Sequence, residues 1–376
     1  MKFNILQFLP QNAKIKTEKE IRDILFNGKS ITEWSHYVKI PLKNISRYRN
    51  GTRPLPMNLF NKLIKLSNLN IKMLQDKIKI KAGKNGKYLD IGPLLEIDEK
   101  WVYISELING DGHITKNFWY ITFVNQDFGL IEYIKKFFLS LGLNKKQVYV
   151  YKREDAIFLI IRSYLLAYLL NKILDVSIGK KHSINIKEFV ISNKKFGIAA
   201  VRGAFDAEGS VTSTGSRRIS ITSNCRRWLS QLQEILIKLR IKSMIFQDNY
   251  KKEKPIYRLI IHHYQNLKKF QDIIKPLHSK RKEKLKEILN NYTKNPQKMF
   301  HKKILLSIKK GYVRKRNIAK GIQQNLILVG NNINWLRKNR FIEPYEKIYT
   351  NKGCFHRYKV TQKGERYIKK SLSFFD

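Results

Sequence analysis

The sequence predicts an α+β chain: a duplicated αββαββα unit with antiparallel sheets, pseudo-symmetric about the two copies, flanked by an N-terminal helix-turn-helix segment and a C-terminal winged-helix-like segment. Three observations predict it. Two stretches echo one another, "ISELINGDGHI" from Ile104 and "VRGAFDAEGSV" from Val201, each an apolar run, a small residue, a carboxylate (Asp111 or Glu208), a glycine and an apolar or β-branched start. The echo then continues in phase. "ITFVNQ" begins 10 residues after Asp111 and "ISITSN" begins 11 after Glu208, while "LGL" and "LRI" follow at 30 and 31. Matched order at matched spacing is the mark of an internal repeat. Finally, the hydrophobic period switches within each copy between the alternation of a strand (Trp119, Ile121, Phe123) and the amphipathic spacing of a helix (residues 128–141), which Gly142 closes as a C-cap glycine does.

The elements follow in order. Residues 1–75 form the first segment. Within it, residues 30–66 read as helix, Pro-marked turn, helix, Pro-rich loop, helix. The middle helix carries Lys43, Arg47 and Arg49 with Asn44 and Ser46, a polar second helix suited to a major groove; a three-helix bundle with a solvated basic face is the plainer alternative. Residues 76–99, lysine-rich with Gly83 and Gly86, read as a linker. The first repeat, residues 100–195, reads as a helix at 101–109, a strand at 113–125, a helix at 128–141, a hairpin at 147–162 turning at "KRED", and a helix at 164–174. The second, residues 196–295, has a strand at 218–223, a helix at 227–239, a hairpin at 243–262 turning at "NYKKEKP", and helices from Asn266 and Lys282. Residues 300–376 read as helices at 302–309, 316–324 and 330–339 and strands at 342–349 and 355–361, with "RYKVTQKGERYI" as a wing strand and a closing helix.

Charge narrows the function. The 376 residues hold 75 Lys and Arg against 29 Asp and Glu, a net charge of +46. Such an excess repels itself unless a polyanion neutralises it, so nucleic acid is the expected partner. No run approaches the roughly 18 apolar residues of a membrane span, and no signal peptide opens the chain, so a membrane is not expected as partner. Cys225 and Cys354 make neither a disulfide framework nor a zinc spacing. The expected setting is a reducing, cytoplasmic compartment, nucleoid-associated or organellar.

The paired carboxylates suggest the chemistry. Gly203 and Ala207 are four apart and share one side of a helix, where small residues let two backbones approach. If the repeats pack through their opening helices, Asp111 and Glu208 meet near the pseudo-two-fold axis. Two carboxylates there repel and need a cation, and oxygen ligands suit Mg²⁺ or Mn²⁺. That constellation fits metal-assisted phosphodiester hydrolysis beneath a basic saddle sized for duplex DNA. The plainer reading makes both acids C-terminal turn residues of structural helices.

These motifs resemble those of the LAGLIDADG homing endonuclease family in its single-chain, two-motif form, over residues 100–290. The resemblance implies the duplicated LAGLIDADG homing endonuclease fold, with Asp111 and Glu208, each before the final Gly of its motif, as metal ligands and catalytic acids. It also implies a basic residue near the site in each half: Lys181 in "GKKHS", and Lys280 in "HSKRKEKL" with Lys282 as its rival. The implied activity is Mg²⁺-dependent double-strand cleavage of DNA at a long target by a monomer, promoting intron mobility. An intein host is less expected, since the chain starts at Met1 and ends "SFFD". Base contacts are expected from strands in the major groove, with Lys152, Arg153 and Arg162 in one half and Arg217, Arg218, Lys251, Lys252 and Arg258 in the other as DNA-binding candidates. The family fold also serves RNA-splicing maturases, which bind intron RNA, and nuclease-dead transcription regulators; retention of both acids favours the nuclease. One residue departs from the family pattern. Glu106 stands where the family usually has Gly, at the closest helix contact, and must turn outward or find a partner, because burial unpaired costs several kcal/mol. Asn109 replaces a residue that is often acidic.

Overall fold

The helix and strand periods of the sequence resolve into two units, Met1–Asn291 and Tyr292–Asp376, in a computed structural model that describes residues 1–83, 87–179, 183–213, 217–248, 255–290, 296–312, 314–350 and 353–370. Among the described residues no helix is long and apolar enough to cross a membrane.

The first unit opens with β1 (Lys2–Asn4), β2 (Lys14–Thr17), α1 (Lys19–Leu25), α2 (Ile31–Val38), α3 (Leu42–Arg49), β3 (Leu55–Pro56), α4 (Met57–Ser67), β4 (Ile78–Lys81) and β5 (Leu94–Glu96). A capping box starts α2: Ser30 Oγ accepts from the Glu33 N–H, and the Glu33 carboxylate accepts from the Ser30 N–H. Lys39, in the left-handed region at φ 55°, ends it, and Pro41 leads into α3. The stretch expected to be a linker instead supplies strands. β4 pairs antiparallel with β2, and β5 with β1. Its "IKIK" has the period of a half-buried strand, and Ile78 and Ile80 are indeed buried while the lysines point away. Lysine content alone concealed that alternation.

Two like-ordered units follow. The first runs α5 (Glu99–Asp111), β6 (Gly112–Ile114), β7 (Ile121–Asn125), α6 (Phe128–Ser140), β8 (Val148–Arg153), β9 (Ala156–Ile161) and α7 (Tyr164–Leu174). After α8 (Glu188–Ser192) the second runs α9 (Lys194–Glu208), β10 (Gly209–Thr212), β11 (Arg218–Ser223), α10 (Arg226–Lys238), β12 (Met244–Asp248), β13 (Ile256–His262) and α11 (Tyr264–Ile274), and α12 (Ser279–Asn290) closes the unit. The sheets have matching antiparallel orders, β6-β7-β9-β8 and β10-β11-β13-β12. The single strand expected at 113–125 is a hairpin, β6 and β7, because the backbone turns at 115–120, where the Thr115 N–H donates to the Tyr120 carbonyl and Phe118 is left-handed at φ 60°.

Pairing fixes the faces. In the first sheet Ile121, Phe123, Val148, Leu159 and Ile161 turn into the core; in the second Ile219, Ile221, Leu259 and Ile261 do. The opposite faces present Thr122, Tyr149, Tyr151, Arg153 and Phe158 in one copy, and Ser220, Thr222, Arg218, Arg258 and Phe246 in the other.

The second unit runs α13 (Pro296–Lys309), α14 (Lys315–Gly321), α15 (Leu326–Lys338), β14 (Ile342–Thr350), β15 (Gly353–Val360) and α16 (Gln362–Lys370). β14 and β15 form an antiparallel ribbon with an irregularity between Pro344 and Glu346. Ile304, Leu305, Ile318, Val329, Ile333, Leu336, Ile342 and Ile368 make its own core.

Candidate functional site

α5 and α9 touch where their sequences are smallest. A β-carbon added at Gly110 would collide with the Ala207 β-carbon and come within 3.2 Å of Glu208 Cγ. One added at Gly203 would lie 2.5 Å from the Tyr103 carbonyl oxygen and 2.9 Å from Glu106 Cβ. Glycine at each position therefore sets the helix separation, and the contact register brings the two C-termini side by side. Asp111 and Glu208 are the last helical residues of α5 and α9. Both helices present the negative end of their macrodipoles there, which adds to the carboxylates' attraction for a cation.

Around this acid pair the side chains form a connected set. Asn125 Nδ2 donates to Asp111 Oδ2 at 2.7 Å, and Asn125 Oδ1 accepts from the Asp127 N–H at 2.8 Å. Asp127 caps α6 through the Leu130 N–H and crosses to the other repeat, where Ser279 N–H and Oγ both donate to its Oδ2 at 2.6 Å. Burial works to raise the Asp127 carboxyl, but these donors and His278 outweigh it and hold it below its ordinary value. His278 Nδ1 lies 3.2 Å from the same oxygen. Burial and the Arg281 guanidinium hold His278 down to about 4, against the pull of Asp127, so the imidazole is neutral at ordinary pH.

Arg281, on α12, brings a guanidinium into the field of the acids. Its guanidinium donates to the carbonyls of Phe205, Asp206 and Ala207, the last at 2.8 Å, and so caps the C-terminus of α9. Burial lowers its pKa, while Asp111, Asp206, Glu208 and Asp127 all favour its charge. One guanidinium thus feels both motif carboxylates.

Beneath the acid pair lies a buried polar layer, matched between the repeats. Asp206, two residues before Glu208, accepts from Tyr103 Oη at 2.9 Å, the Leu277 N–H at 2.9 Å and the His278 N–H at 3.2 Å. Burial raises its pKa even so. Asn109, two residues before Asp111, accepts from the Ser177 N–H at 3.1 Å. Each side chain therefore ties down the segment that leads to a basic cluster, 180–181 or 280–282. Glu106 is fully buried and has found its partner across the repeat boundary: Trp228 Nε1 donates to Oε2 at 2.7 Å, and Asn109 Nδ2 lies 3.4 Å from Oε1. Burial pushes its carboxyl up to about 7.

The remaining sequence candidates are spread more widely. Lys181, Lys251 and Lys252 lie outside the described residues. Lys280 is exposed and lines a cavity of about 540 Å³ with Asp127, Ser210, His278, Arg281 and Lys284. Lys282 is also exposed. Lys43 and Arg47 are exposed on α3, whereas Arg49 is half-buried and its carbonyl accepts from Arg22 Nε. Arg153 is on the outer face of the first sheet, and Lys152 points to the opposite face at the hairpin end. Arg162 donates to Tyr149 Oη at 3.1 Å and sits over the Tyr149 ring, 4.8 Å from its centroid. Arg217 precedes β11; Arg218 and Arg258 share the outer face of the second sheet, where Arg258 pairs with Asp248 at 2.7 Å.

Sequence reasoning passed over Asp127, Asp206, Trp228 and Arg281. Asp206 carried a signal, a second carboxylate two before Glu208; within the run Lys280-Arg281-Lys282, nothing singled out the middle residue. Among the described residues no three His, Cys, Asp or Glu side chains gather as a metal-binding group. The donor set is nonetheless suitable for Mg²⁺, which uses one or two carboxylates and completes its octahedron with water and substrate phosphates.

Residues 196–275, within the second repeat, match the family model of the LAGLIDADG-like domain. No curated protein matches the chain. Similar solved structures include mesophilic variants of the homing endonuclease I-DmoI, at 18% identity over 48% of this chain and 98% of that one, with a TM-score of 0.38. I-DmoI in complex with DNA and Mn is 19% identical over 48% and 98%, with a TM-score of 0.38. Full-length DUF199/WhiA from Thermatoga maritima is 13% identical over 65% and 93%, with a TM-score of 0.37.

Proposed function

We propose that this chain, whose second repeat is a LAGLIDADG-like domain, is a metal-dependent DNA endonuclease that makes double-strand breaks at a long target site and so promotes intron mobility. The observation that carries the reading is the glycine-set contact of α5 with α9, which brings Asp111 and Glu208 to adjoining helix ends. A structural helix pair needs the glycines; it does not need a carboxylate at each terminus beneath the shared field of Arg281. When bound, Mg²⁺ or Mn²⁺ supplies charge stabilisation of the phosphoryl group and a more acidic water.

The chain's own residues do the rest. Asp111 and Glu208 hold the cation, with Asp111 oriented by Asn125. Arg281 fixes the end of α9 and offsets part of the acid repulsion in the absence of metal. Asp206 and Asn109 hold the segments that lead to the basic clusters, and Lys280 is the described lysine that lines the cavity beside Asp127 and Arg281. The outer sheet faces receive the duplex, with Arg153, Arg218 and Arg258 among the residues that face it, and the excess of positive charge makes binding strongly salt-dependent. Exposed Lys43 and Arg47 on α3 give the N-terminal helix-turn-helix a second point of attachment.

The test uses DNA carrying the uninterrupted host locus. Incubation with Mg²⁺ is expected to give a single double-strand cut that EDTA prevents. Specific binding with no cut in either strand would replace the nuclease by a DNA-binding regulator, and protein-dependent intron splicing without DNA cutting would make the protein a maturase.

A further inference from the structure

We propose that the C-terminal unit is a separate reader of A·T-rich duplex DNA, and that the outer face of α15 does the reading. Helix geometry divides α15 cleanly. Val329, Ile333 and Leu336 are each 0% exposed and anchor the helix in the core of its unit. At 100° per residue the opposite line is Ile327, Asn331, Asn334 and Lys338. All four are exposed, and Ile327 is 73% exposed. Leu326 and Leu328, also exposed, flank Ile327 at the start of the helix.

The surroundings fit this face to a groove. α14 and α15 are joined by residues 322–325, where Gln323 takes the left-handed φ of 52° that turns the chain. The ribbon β14–β15 follows directly, so three helices and a two-stranded wing occur in the order of a winged helix. In helix-turn-helix proteins the second helix of the pair lies in the major groove with its N-terminal residues against the base edges. Here those residues are apolar ones followed by two carboxamides. An Asn carboxamide pairs bidentately with adenine N6 and N7, an aliphatic side chain packs on the thymine methyl, and guanine calls for Arg or Lys. The stripe offers the first two along most of its length and a single cation, Lys338, at its far end.

Charge supports the same occupant. Residues 292–376 contain 21 Lys and Arg against four Asp and Glu. Three of those acids, Glu343, Glu346 and Glu365, are ion-paired with Lys359, Arg357 and Lys309. Exposed Lys315, Arg316 and Lys320 on α14, and Arg337 and Arg340 at the end of α15, frame the stripe for phosphates. A protein partner fits less well, because docking on an apolar surface would strip water from Asn331 and Asn334 at the centre of the contact without replacing their hydrogen bonds.

The experiment uses the full chain in EDTA, so that no cleavage is involved, and measures anisotropy at fixed salt on labelled duplexes. Wild type is expected to bind an A·T tract about five-fold or more tighter than its G·C counterpart. That preference should fall when 7-deaza-adenine removes the N7 acceptor or uracil removes the thymine methyl. Asn331→Ala/Asn334→Ala should lose the response to 7-deaza-adenine while binding the G·C duplex within about two-fold of wild type, since phosphate contacts are kept. Ile327→Ala should lose only the response to uracil. All three changed residues are exposed, and an unchanged melting curve checks the fold. The proposal is overturned if the variants keep the wild-type response to the altered bases, or bind every duplex as wild type does, as a protein-docking face would require. Neither result depends on whether the acid pair cuts DNA.

Discussion

Glu106→Gln isolates a buried carboxyl that bridges the two repeats. Glu106 is fully buried between the repeats, held by Trp228 Nε1 and Asn109, and its carboxyl is raised from an ordinary 4.5 to about 7 by burial. The native state therefore keeps this proton over a pH range in which the unfolded chain has released it. Its contribution to stability is complete below about pH 4.5 and is lost as pH rises through about 7, and the raised value corresponds to about 3 kcal/mol. The carboxamide of the variant would keep an acceptor for Trp228 and carry no titrating proton. The assay is urea denaturation followed by circular dichroism from pH 4.5 to 8 in both proteins. His278, held down to about 4, contributes in the opposite sense, its stabilisation being lost as pH falls from 6.5 through 4. Because His278 and Asp206 are present in both chains, the difference between the two curves reports Glu106 alone. The variant should gain about 3 kcal/mol relative to wild type between the acid and alkaline ends. A flat difference would refute the reasoning, since it would mean that the carboxylate ionises as readily inside as out.

Further changes probe the same interface and the site above it. Gly110→Ala places a methyl against Ala207 and Glu208 and should cost about 1–3 kcal/mol, with a loss of cleavage that persists at temperatures where the variant remains folded. Tyr103→Phe removes one donor to buried Asp206 and should destabilise by about 1–3 kcal/mol, measurable by denaturant titration. Arg281→Met uncaps α9 and leaves Asp111 and Glu208 without their shared guanidinium, so the Mg²⁺ concentration for half-maximal cleavage should fall while the melting temperature drops.

The repeat order was legible because hydrophobic period and turn residues are local properties, and Asp111 and Glu208 could be placed at helix ends because a glycine follows each in a strand-like start. What was not legible depends on partners far apart in the chain. Glu106 looked like a defect in the first motif until Trp228, from the other repeat, supplied a donor; nothing near either residue announces the pair. Asp206 and Asn109 act on segments reached only after a whole repeat has folded. Arg281 stands apart from its lysine neighbours because its guanidinium reaches three carbonyls at the end of α9, a contact that exists only once α12 packs there. β4 was hidden for another reason: its exposed lysines dominated the composition, while Ile78 and Ile80 alternated beneath them.

Strand-resolved cleavage of DNA carrying the uninterrupted host locus by wild type, Asp111→Asn and Glu208→Gln in Mg²⁺ is the most direct measurement. Both carboxamide variants stay neutral isosteres at the helix ends, so they should fold and bind the duplex as wild type does. The account predicts that each loses cutting by about 100-fold or more, as removal of a charge-stabilising group does. Cutting at the wild-type rate by either variant would contradict it.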